Sequence, residues 1–480
     1  MRNLTMLTDL YQLTMMYGYF QHGMVNDIGI FDLFFRKNRD NSAYAVVAGL
    51  ESVIDYINKL HFTRDDIAYL RTLRLFDEAF LKYLETFSFT GELYAMPEGT
   101  VVFPHEPLIR VKAPILEAQL IETAMLTLVN HQTLIASKAS RVVYAANGDG
   151  VMEFGLRRAQ GPDAGIYGAR AAVIGGCAGT SNVMTGMRYD IPIKGTHAHS
   201  WVMSFPDELS AFRAYADTFP STCLLLVDTY DTLRSGVPNA IRVFDELREK
   251  GYKPIGIRLD SGDLSYLSKI ARDMLDDAGY PDAQIFASGD LDEMVIRDLK
   301  AQGAKIDTWG VGTKLITSSD CPALGGVYKM SAVITNDELV NKIKRSDNME
   351  KITNPGYKTV YRLYKKKNKK AIADLIALSD EVIDESKPLR IFDPEQTWKS
   401  MVITDYTARE LLVPVFIDGK QVYQSPNIYE IQAYAKAELA TMWEEYKRIL
   451  NPHVFKVDLS DQLYDLKKKL LHEQGSKSCE

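Results

Sequence analysis

The chain has 480 residues, of which 46% are hydrophobic and 25% charged, and its formal net charge at pH 7 is −7. This composition is typical of a globular enzyme and excludes a disordered or fibrous protein. The negative charge argues against nucleic acid as the main partner, since such binding depends on clustered Lys and Arg. The length predicts two or three domains, one of which has the size of a barrel of about 200 to 250 residues.

The cysteines and the N-terminal segment indicate a cytoplasmic protein. Cys177, Cys223, Cys321 and Cys479 are far apart and lack metal-ligand spacing, so they predict neither a disulfide framework nor a zinc ribbon. Polar and acidic residues interrupt the segment MRNLTMLTDLYQ, where a signal peptide would be continuously apolar. No window approaches the about 18 apolar residues of a membrane span. We therefore expect a soluble protein of the reducing cytoplasm, with no membrane partner.

Residues 1–114 are predicted to form an N-terminal mixed α+β domain. A helix over residues 7–19 is followed by a strand over residues 28–35, and Arg36 lies at the end of that strand. From Gly91 onward, short β-rich runs are broken by four prolines. This pattern predicts a small open sheet or half-barrel between helices.

The central domain is predicted to span residues 115–325. Residues 115–146 contain neither Gly nor Pro, which predicts one long helix or two abutting helices. Beyond them strands alternate with helices, which predicts a parallel sheet, and about seven repeats favour closure into a barrel. Chemistry in such folds takes place at the carboxyl ends of the strands. The predicted strands are 151–154, 176–178, 191–194, 223–227, 254–259, 284–287 and 308–311.

The pattern becomes antiparallel after Gly325. Residues 326–480 are predicted to pack back on the N-terminal domain and the barrel. A lysine-rich segment over residues 365–370 is typical of a solvated hairpin tip. A helix is predicted from about Pro426, with Ser425 as its cap, and a charged tail is predicted to follow it.

Apolar runs in the central domain repeatedly end in residues that suit an anionic ligand. Arg157 and Arg158 follow Glu153-Phe154-Gly155, and a guanidinium group binds carboxylate or phosphate in a bidentate fork. Glycine turns at other strand ends offer backbone amides to phosphate, and Asp260 suits Mg²⁺ held together with a polyphosphate. Together these turns favour a phosphate-rich ligand over a purely structural role. The turns are Gly179-Thr180-Ser181-Asn182, Arg258-Leu259-Asp260-Ser261-Gly262-Asp263, Ser288-Gly289-Asp290 and Gly310-Val311-Gly312-Thr313.

Two of the 8 histidines, His197 and His199, lie in the segment IPIKGTHAHS. If this segment stays extended, both imidazoles leave one face. Neutral imidazole can accept a phosphoryl group near pH 7, so His199 is a candidate nucleophile or acid/base group. Asp228 ends the next strand and is placed to accept a hydrogen bond from the other ring nitrogen and fix the tautomer. An alternative role for Asp228 is to cap the helix after Tyr230.

Several motifs, in order over most of the chain, resemble those of nicotinate phosphoribosyltransferases: LTDLYQLTM, FFRKN, EFGLRRAQG, GTSN, GTHAHSW, LLVDTYDT, IRLDSGDL and GVGTKL. This family of type II phosphoribosyltransferases implies an irregular α/β barrel beside a smaller mixed α+β domain built from both chain ends. It also implies a homodimer with active sites at the subunit boundary. The implied reaction, in NAD salvage, converts nicotinate and 5-phosphoribosyl 1-diphosphate to nicotinate mononucleotide and diphosphate. ATP is hydrolysed alongside, and Mg²⁺ is the implied cofactor.

The resemblance also implies roles for individual residues. His199 matches the phosphorylated histidine of the family. Tyr11 matches an aromatic residue that stacks on the pyridine ring from the neighbouring subunit, and Arg36 matches a cation that reaches the diphosphate across the dimer. His197 has no role in the pattern. Together with the turns described above, the resemblance predicts two binding sites. The predicted nicotinate site comprises Tyr11, Phe154, Arg157, Thr180, Ser181, Thr196 and Arg258. The predicted phosphoribosyl diphosphate site comprises Arg36, Asp260, Ser261, Gly262, Gly289, Gly310, Gly312 and Thr313.

Other assignments remain open. Nicotinamide phosphoribosyltransferases share the fold and the histidine but have an aspartate in place of Ser181, whose neighbouring cations suit a carboxylate better. Quinolinate phosphoribosyltransferases share the barrel and need neither ATP nor the histidine motif. A barrel metal-dependent hydrolase would use His197 and His199 as zinc ligands, yet no further histidine occurs before His453. A non-catalytic phosphosugar-binding protein would not need a poised histidine.

Overall fold

The computed structural model describes residues 2–38 and 41–476. The chain divides into two compact units: a chain-end unit of Met1–Leu134 with Ala323–Glu480, and a central unit of Ile135–Pro322. Cys479, counted above among the isolated cysteines, lies outside the described residues. The domain boundaries placed above at residues 115 and 325 stay a prediction.

The helices vary from one turn to seven. None of those in the described ranges combines the length and apolar character needed to cross a bilayer. In chain order they are α1 (Leu10–Gln21), α2 (Leu50–Asn58), α3 (Arg64–Thr72), α4 (Glu78–Leu84), α5 (Ile115–Leu120), α6 (Glu122–Ala146), α7 (Pro162–Ile174), α8 (Val183–Tyr189), α9 (His199–Met203), α10 (Glu208–Thr218), α11 (Val237–Glu249), α12 (Leu264–Asp277), α13 (Glu293–Ala301), α14 (Thr313–Ile316), α15 (Ile428–Thr441), α16 (Glu444–Lys447) and α17 (Asp461–Ser476).

The strands are mostly short. In chain order they are β1 (Ile28–Phe35), β2 (Ala45–Val46), β3 (Glu92–Ala95), β4 (Val101–Val102), β5 (Ile109–Pro114), β6 (Gly150–Glu153), β7 (Gly179–Thr180), β8 (Leu224–Leu226), β9 (Gly256–Leu259), β10 (Gln284–Gly289), β11 (Thr308–Val311), β12 (Gly326–Thr335), β13 (Glu338–Asn341), β14 (Lys358–Lys365), β15 (Ala371–Leu378), β16 (Leu389–Phe392), β17 (Ser400–Ile403), β18 (Tyr406–Glu410), β19 (Val413–Ile417), β20 (Lys420–Gln421) and β21 (Val457–Leu459).

The chain-end unit contains sheets that are mostly antiparallel. Its seven-stranded sheet has the order β13-β12-β1-β5-β3-β19-β20, so β1 from the first part of the chain pairs with β12 from the last part. β1 is paired on both edges, and seven of its eight residues are buried. A second sheet has the order β18-β14-β15-β21. The predicted mixed domain built from both chain ends is confirmed, but it is the larger unit and not the smaller, since α1–α5 and the first half of α6 belong to it.

A buried ionic cluster connects four segments of the chain-end unit. The guanidinium of Arg362, on β14, donates to both carboxylate oxygens of Asp374 on β15, at 2.9 and 2.6 Å. It also donates to Glu438 of α15 at 2.9 Å and to the carbonyl of Val101 at 2.7 Å. Arg362 and Asp374 are fully buried. The pairing therefore compensates charges that would be costly if left alone in the interior.

Replacing Arg362 with Met should destabilise the protein strongly. The change leaves Asp374 buried without its counter-ion and leaves Glu438 with Arg409 as its remaining partner. Breaking a buried pair from one side costs about 3–5 kcal/mol. The free energy of unfolding from urea titrations measures the effect. Arg71→Met is the matched control, because Arg71 pairs with Glu78 at the solvent-exposed surface and its loss should barely move the urea midpoint. Equal midpoints for both variants would contradict the prediction.

The central unit contains a six-stranded parallel sheet with the order β7-β6-β11-β10-β9-β8. Glu153 lies opposite Val311, Val311 opposite Gly289, and Ala287 opposite Leu259. This register places the carboxyl ends of β6, β11 and β10 at one level, and β9 ends opposite Ala287, two residues before the end of β10. Residues that follow these strands are thereby brought together at one edge of the sheet.

The α/β class is confirmed, but the backbone hydrogen bonds of the described strands do not form a closed ring. The predicted strand over residues 191–194 contributes only a parallel bridge between Ile193 and Thr180. Pro192 has no N–H to donate, which limits pairing there. The strand predicted over residues 176–178 is formed instead by Gly179–Thr180, because Gly176 has a φ of +113° and turns the chain. The sheet is thus open between β7 and β8.

Candidate active site

A cavity of about 750 Å³ lies at the carboxyl edge of the central sheet. Its walls come from the ends of β6, β9, β10 and β11 and from the segment that precedes α9. Most of the predicted central-unit site residues line it. They are Phe154, Arg157, Ser181, Thr196, His199, Arg258, Asp260, Gly289, Gly310, Gly312 and Thr313, accompanied by Arg158, Gly195, His197, Ala198, Leu226, Ser288 and Asp290.

Arg258, on β9, is held by three side chains at the cavity wall. It donates to Asp260 Oδ1 at 2.8 Å, to Ser288 Oγ at 2.8 Å and to Thr196 Oγ1 at 3.4 Å. The Phe154 ring centroid lies 5.8 Å from the guanidinium carbon. The guanidinium is therefore oriented before any ligand arrives.

Asp260 is a charged carboxylate in this network. The hydroxyl of Ser288 donates a hydrogen bond to Asp260. Partial burial acts to raise the pKa of Asp260, but the hydrogen bond from Ser288 and the charge and hydrogen bond of Arg258 outweigh it, so this pKa lies below its ordinary value. A negative charge thus persists at the cavity wall at neutral pH.

His199 is the first residue of α9, and its side chain is 40% exposed. Nδ1 lies 3.1 Å from the hydroxyl of Thr229. Nε2 lies 4.0 Å from Asp228 Oδ1 and 3.9 Å from Asp260 Oδ2, beyond hydrogen-bond distance. The ring is thus oriented by a hydroxyl at Nδ1 and faces two carboxylates at Nε2.

The predicted hydrogen bond between Asp228 and His199 is therefore not formed. Asp228 Oδ2 instead accepts from the backbone N–H of Asp260 at 3.0 Å and from the Ser261 hydroxyl at 2.6 Å. The alternative capping role is also wrong, since Asp231 caps the following helical turn. Asp228 is a nearly buried carboxylate that fixes the turn after β9.

Thr180 was predicted to contact a ligand, but its side chain is fully buried. Its hydroxyl donates to Glu153 Oε2 at 2.6 Å, and the other oxygen of Glu153 accepts from the N–H of Gly155. Burial raises the pKa of Glu153, while these two hydrogen bonds act to lower it. Glu153 and Thr180 therefore support the turns that present Phe154 and Ser181 to the cavity.

Two of the predicted glycines are required by close packing. A Cβ at Gly310 would lie 2.6 Å from the Phe154 ring, and one at Gly289, where φ is +118°, would lie 2.9 Å from the carbonyl oxygen of Asp260. Only glycine accommodates this approach without strain. Ser261 and Gly262 occupy the exposed turn after β9 and do not line the cavity.

Tyr11 and Arg36 belong to the chain-end unit. Tyr11 lies on α1 and is 48% exposed, and Arg36 follows β1. Both were assigned roles across a subunit boundary, and those roles stay predictions.

Sequence reasoning missed several residues of the site. Ser288 joins Arg258 to Asp260, Thr229 orients His199, and Glu153 supports Thr180. His197 was left without a role, although its ring is nearly buried beside the cavity. Ser288 precedes the predicted site residue Gly289, and Thr229 follows the predicted site residue Asp228. Their position at the same strand ends was the sequence signal that could have identified them as site residues.

Comparison with known proteins identifies the family. Models of nicotinate phosphoribosyltransferase match the chain in three parts: the N-terminal domain over residues 6–130, the family's main model over residues 150–373, and the C-terminal domain over residues 357–467. Nicotinate phosphoribosyltransferase of Bacillus subtilis is 50% identical over 475 residues, which cover 99% of this chain and 96% of the relative. The chain belongs to the nicotinate phosphoribosyltransferase family.

A human sequence and a human crystal structure of the nicotinate phosphoribosyltransferase family are also similar to this chain. The human sequence is 31% identical over 528 residues, covering 98% of this chain and 97% of the relative. The crystal structure of human nicotinic acid phosphoribosyltransferase superposes with a TM-score of 0.84 at 29% identity, covering 97% and 99% of the two chains. Nicotinate-nucleotide pyrophosphorylase of Pyrococcus furiosus, with a TM-score of 0.68 and 22% identity over 90% of this chain, shares the fold alone.

Ser288→Ala should lower kcat/KM by about tenfold to a hundredfold, because hydrogen bonds to charged groups contribute about 1.5–3 kcal/mol. The loss frees both Arg258 and Asp260 from their common partner. Steady-state kinetics of mononucleotide formation measures it. The matched control is Ser268→Ala, which removes a buried serine hydroxyl of α12 that bonds to backbone groups of Ser265 and Lys305. An unchanged kcat/KM for Ser288→Ala would show that the bridge does not position the site.

Proposed function

We propose that this chain converts nicotinate and 5-phosphoribosyl 1-diphosphate to nicotinate mononucleotide and diphosphate, as a step of NAD salvage. We further propose that it hydrolyses ATP through a phosphohistidine at His199. One observation carries this proposal: the half-exposed imidazole of His199, the guanidinium groups of Arg157 and Arg258, and the charged carboxylate of Asp260 line one cavity. Its volume of about 750 Å³ suits a ligand of nucleotide size.

In the transfer step, the pyridine nitrogen of nicotinate bonds to C1 of the ribose. The bond from C1 to the diphosphate oxygen breaks, and diphosphate leaves with the electron pair. The pyridine nitrogen carries no proton, so no protein base is needed there. Positive charge develops on the ribose and negative charge on the diphosphate, and preoriented groups stabilise both. We assign the nicotinate carboxylate to Arg157 and Arg258 and the phosphate groups to the turns at Gly289, Gly312 and Thr313.

We assign Nε2 of His199 as the atom that accepts the γ-phosphoryl group of ATP, because Nδ1 is engaged by Thr229. A bond forms from Nε2 to phosphorus as the bond to the ADP oxygen breaks, and ADP leaves with the electron pair. Water later hydrolyses the phosphohistidine. The phosphoryl group adds roughly −2 charge beside the substrate site, which is how ATP would alter its affinity.

The acidic residues near His199 fit Mg²⁺ that arrives with a polyphosphate. Mg²⁺ is usually held by one or two carboxylates together with substrate phosphates. Asp228 Oδ1 is buried and has no hydrogen-bond partner among the described residues, and Asp260 Oδ2 faces His199. No group of three or more His, Cys, Asp or Glu in the described ranges is placed to hold a metal by protein ligands alone. When bound, Mg²⁺ would offset negative charge between these carboxylates and the phosphates.

We also propose a cytoplasmic homodimer in which Tyr11 and Arg36 complete the partner's site. The exposed ring of Tyr11 supports this role. The metal-hydrolase alternative is not supported, because Nε2 of His197 accepts a backbone hydrogen bond from Leu226 and is unavailable as a ligand.

The acceptor and the ATP dependence are tested in one assay. Mononucleotide formation from 5-phosphoribosyl 1-diphosphate and Mg²⁺ is followed with nicotinate or nicotinamide, each with and without ATP. We expect product from nicotinate, increased by ATP, because Ser181 and the nearby arginines suit a carboxylate. Product from nicotinamide alone would refute the assigned acceptor, and absence of product from either would refute the transferase reaction.

His199→Asn should abolish the stimulation by ATP and leave slow ATP-independent turnover. Asparagine cannot carry the phosphoryl group, while the groups that bind the transferring substrates remain. The ratio of rates with and without ATP is the measured quantity, together with the mass of the protein after incubation with ATP. His453→Asn, an exposed histidine of the chain-end unit, is the control. Full stimulation in His199→Asn would contradict the phosphohistidine.

A further inference from the structure

The open side of the central sheet leaves a backbone donor that a side chain must satisfy. On either side of β8, the N–H of Val227 donates to the carbonyl of Arg258, and the carbonyl of Cys223 accepts from the N–H of Ile255, so these two residues are bonded toward β9. Backbone groups of successive residues in a strand point to opposite sides, so the N–H of Leu226, one residue before Val227, points away from β9. Leu226 is 1% exposed. A buried N–H without a partner would be costly, and no strand pairs with this edge in the described residues.

His197 supplies the missing partner. Its Nε2 accepts the hydrogen bond of the Leu226 N–H at 3.2 Å. On the opposite edge of the gap, the N–H of Thr180 donates to Pro192 and the N–H of Lys194 donates to Thr180. The segment from Pro192 to His197 therefore spans the opening, joined to β7 by its backbone and to β8 by one imidazole.

The surroundings of His197 determine its tautomer. The ring is 7% exposed and packs edge-on against Tyr215 at 4.7 Å between centroids. Nε2 can accept only if the proton is on Nδ1, which lies 3.5 Å from the carbonyl of Ala198. Burial, together with the nearby charges of Arg258 and His199, lowers the pKa of His197 to about 4. The ring is thus neutral at physiological pH, as its acceptor role requires.

The residues on either side of His197 are those of the proposed chemistry. Thr196 contacts Arg258, and His199 starts α9 after the extended Ala198. Farther along α9, Trp201 Nε1 donates to the carbonyl of Ala211 at 3.1 Å. His197 is thus the point at which the cavity segment is attached to β8.

We propose that His197 is a positioning residue whose neutral imidazole replaces a strand at the open edge of β8 and so holds Thr196 and His199 in the cavity. For its kinetic readout this inference rests on the proposed function. Misplacement of a reacting group by about 1 Å can cost a hundredfold in rate. Loss of the acceptor should therefore act on kcat and on phosphorylation of His199 more than on overall folding.

The test compares His197→Leu, which fills the space without an acceptor, with His197→Gln, which retains an acceptor oxygen. We expect His197→Leu to lower kcat about tenfold or more, to reduce phosphohistidine formation, and to speed hydrogen exchange at the Leu226 amide. His197→Gln should recover part of each loss. His131→Leu, at a histidine of α6 in the chain-end unit, controls for the removal of an imidazole.

Two outcomes would overturn the inference: wild-type kcat and phosphorylation in His197→Leu, or unchanged exchange at Leu226 in that variant. ¹⁵N spectra of histidine-labelled protein add a direct check, since the inference requires a proton on Nδ1 and none on Nε2 of His197 at neutral pH. The exchange and ¹⁵N measurements do not depend on turnover. If the wild-type protein formed no mononucleotide, the proposed function would fail while these measurements would still decide the role of His197.

Discussion

The register of four parallel strands is the constraint on which the site depends. Because β6, β11 and β10 pair with their last residues at one level and the parallel strand β9 ends two residues earlier, the residues that follow these strands share one edge. Phe154, Gly312, Asp290 and Asp260 directly follow four different strands and line the same cavity. A slip of one residue in any strand would turn its side chains to the other face and remove its contribution. The pairing of the apolar residues within the strands thus determines where the polar residues after the strands lie.

Within that frame, the polar groups of the cavity hold one another in place. Asp228 fixes the turn after β9 through the N–H of Asp260. Asp260 and Ser288 then hold Arg258, which in turn contacts Thr196 in the segment before α9. One hydrogen-bonded path therefore connects the ends of β8, β9 and β10 to the histidine segment. Such preorganisation reduces the rearrangement needed when charge develops during a reaction.

The class of fold and the edge that carries the cavity could be predicted from the alternation of strands and helices. Boundaries were less accurate: the helix predicted from Pro426 begins at Ile428 with Asn427 as its cap, whereas Ser425 was predicted as the cap. The pair Asn427 and Glu430 is a capping-box signal that reasoning from Pro426 overlooked. Side-chain partners were harder still. Thr229 and His199 are thirty positions apart, and their contact depends on strand order, which local patterns do not contain.

The two histidines show why residue type and spacing do not suffice to assign chemistry. Had the segment stayed extended, both rings would have left one face, but the chain turns into α9 at His199. His197 is consequently buried, and the low dielectric surroundings disfavour its charged form. His199 keeps 40% of its side chain exposed beside two carboxylates. Because the Nε2 lone pair of His197 already accepts a backbone hydrogen bond, this imidazole cannot also use Nε2 as a nucleophile, whereas the accessible Nε2 of His199 can. Burial therefore makes His197 a structural hydrogen-bond acceptor, whereas exposure leaves His199 available for reaction. Both environments follow from the turn of the chain into α9.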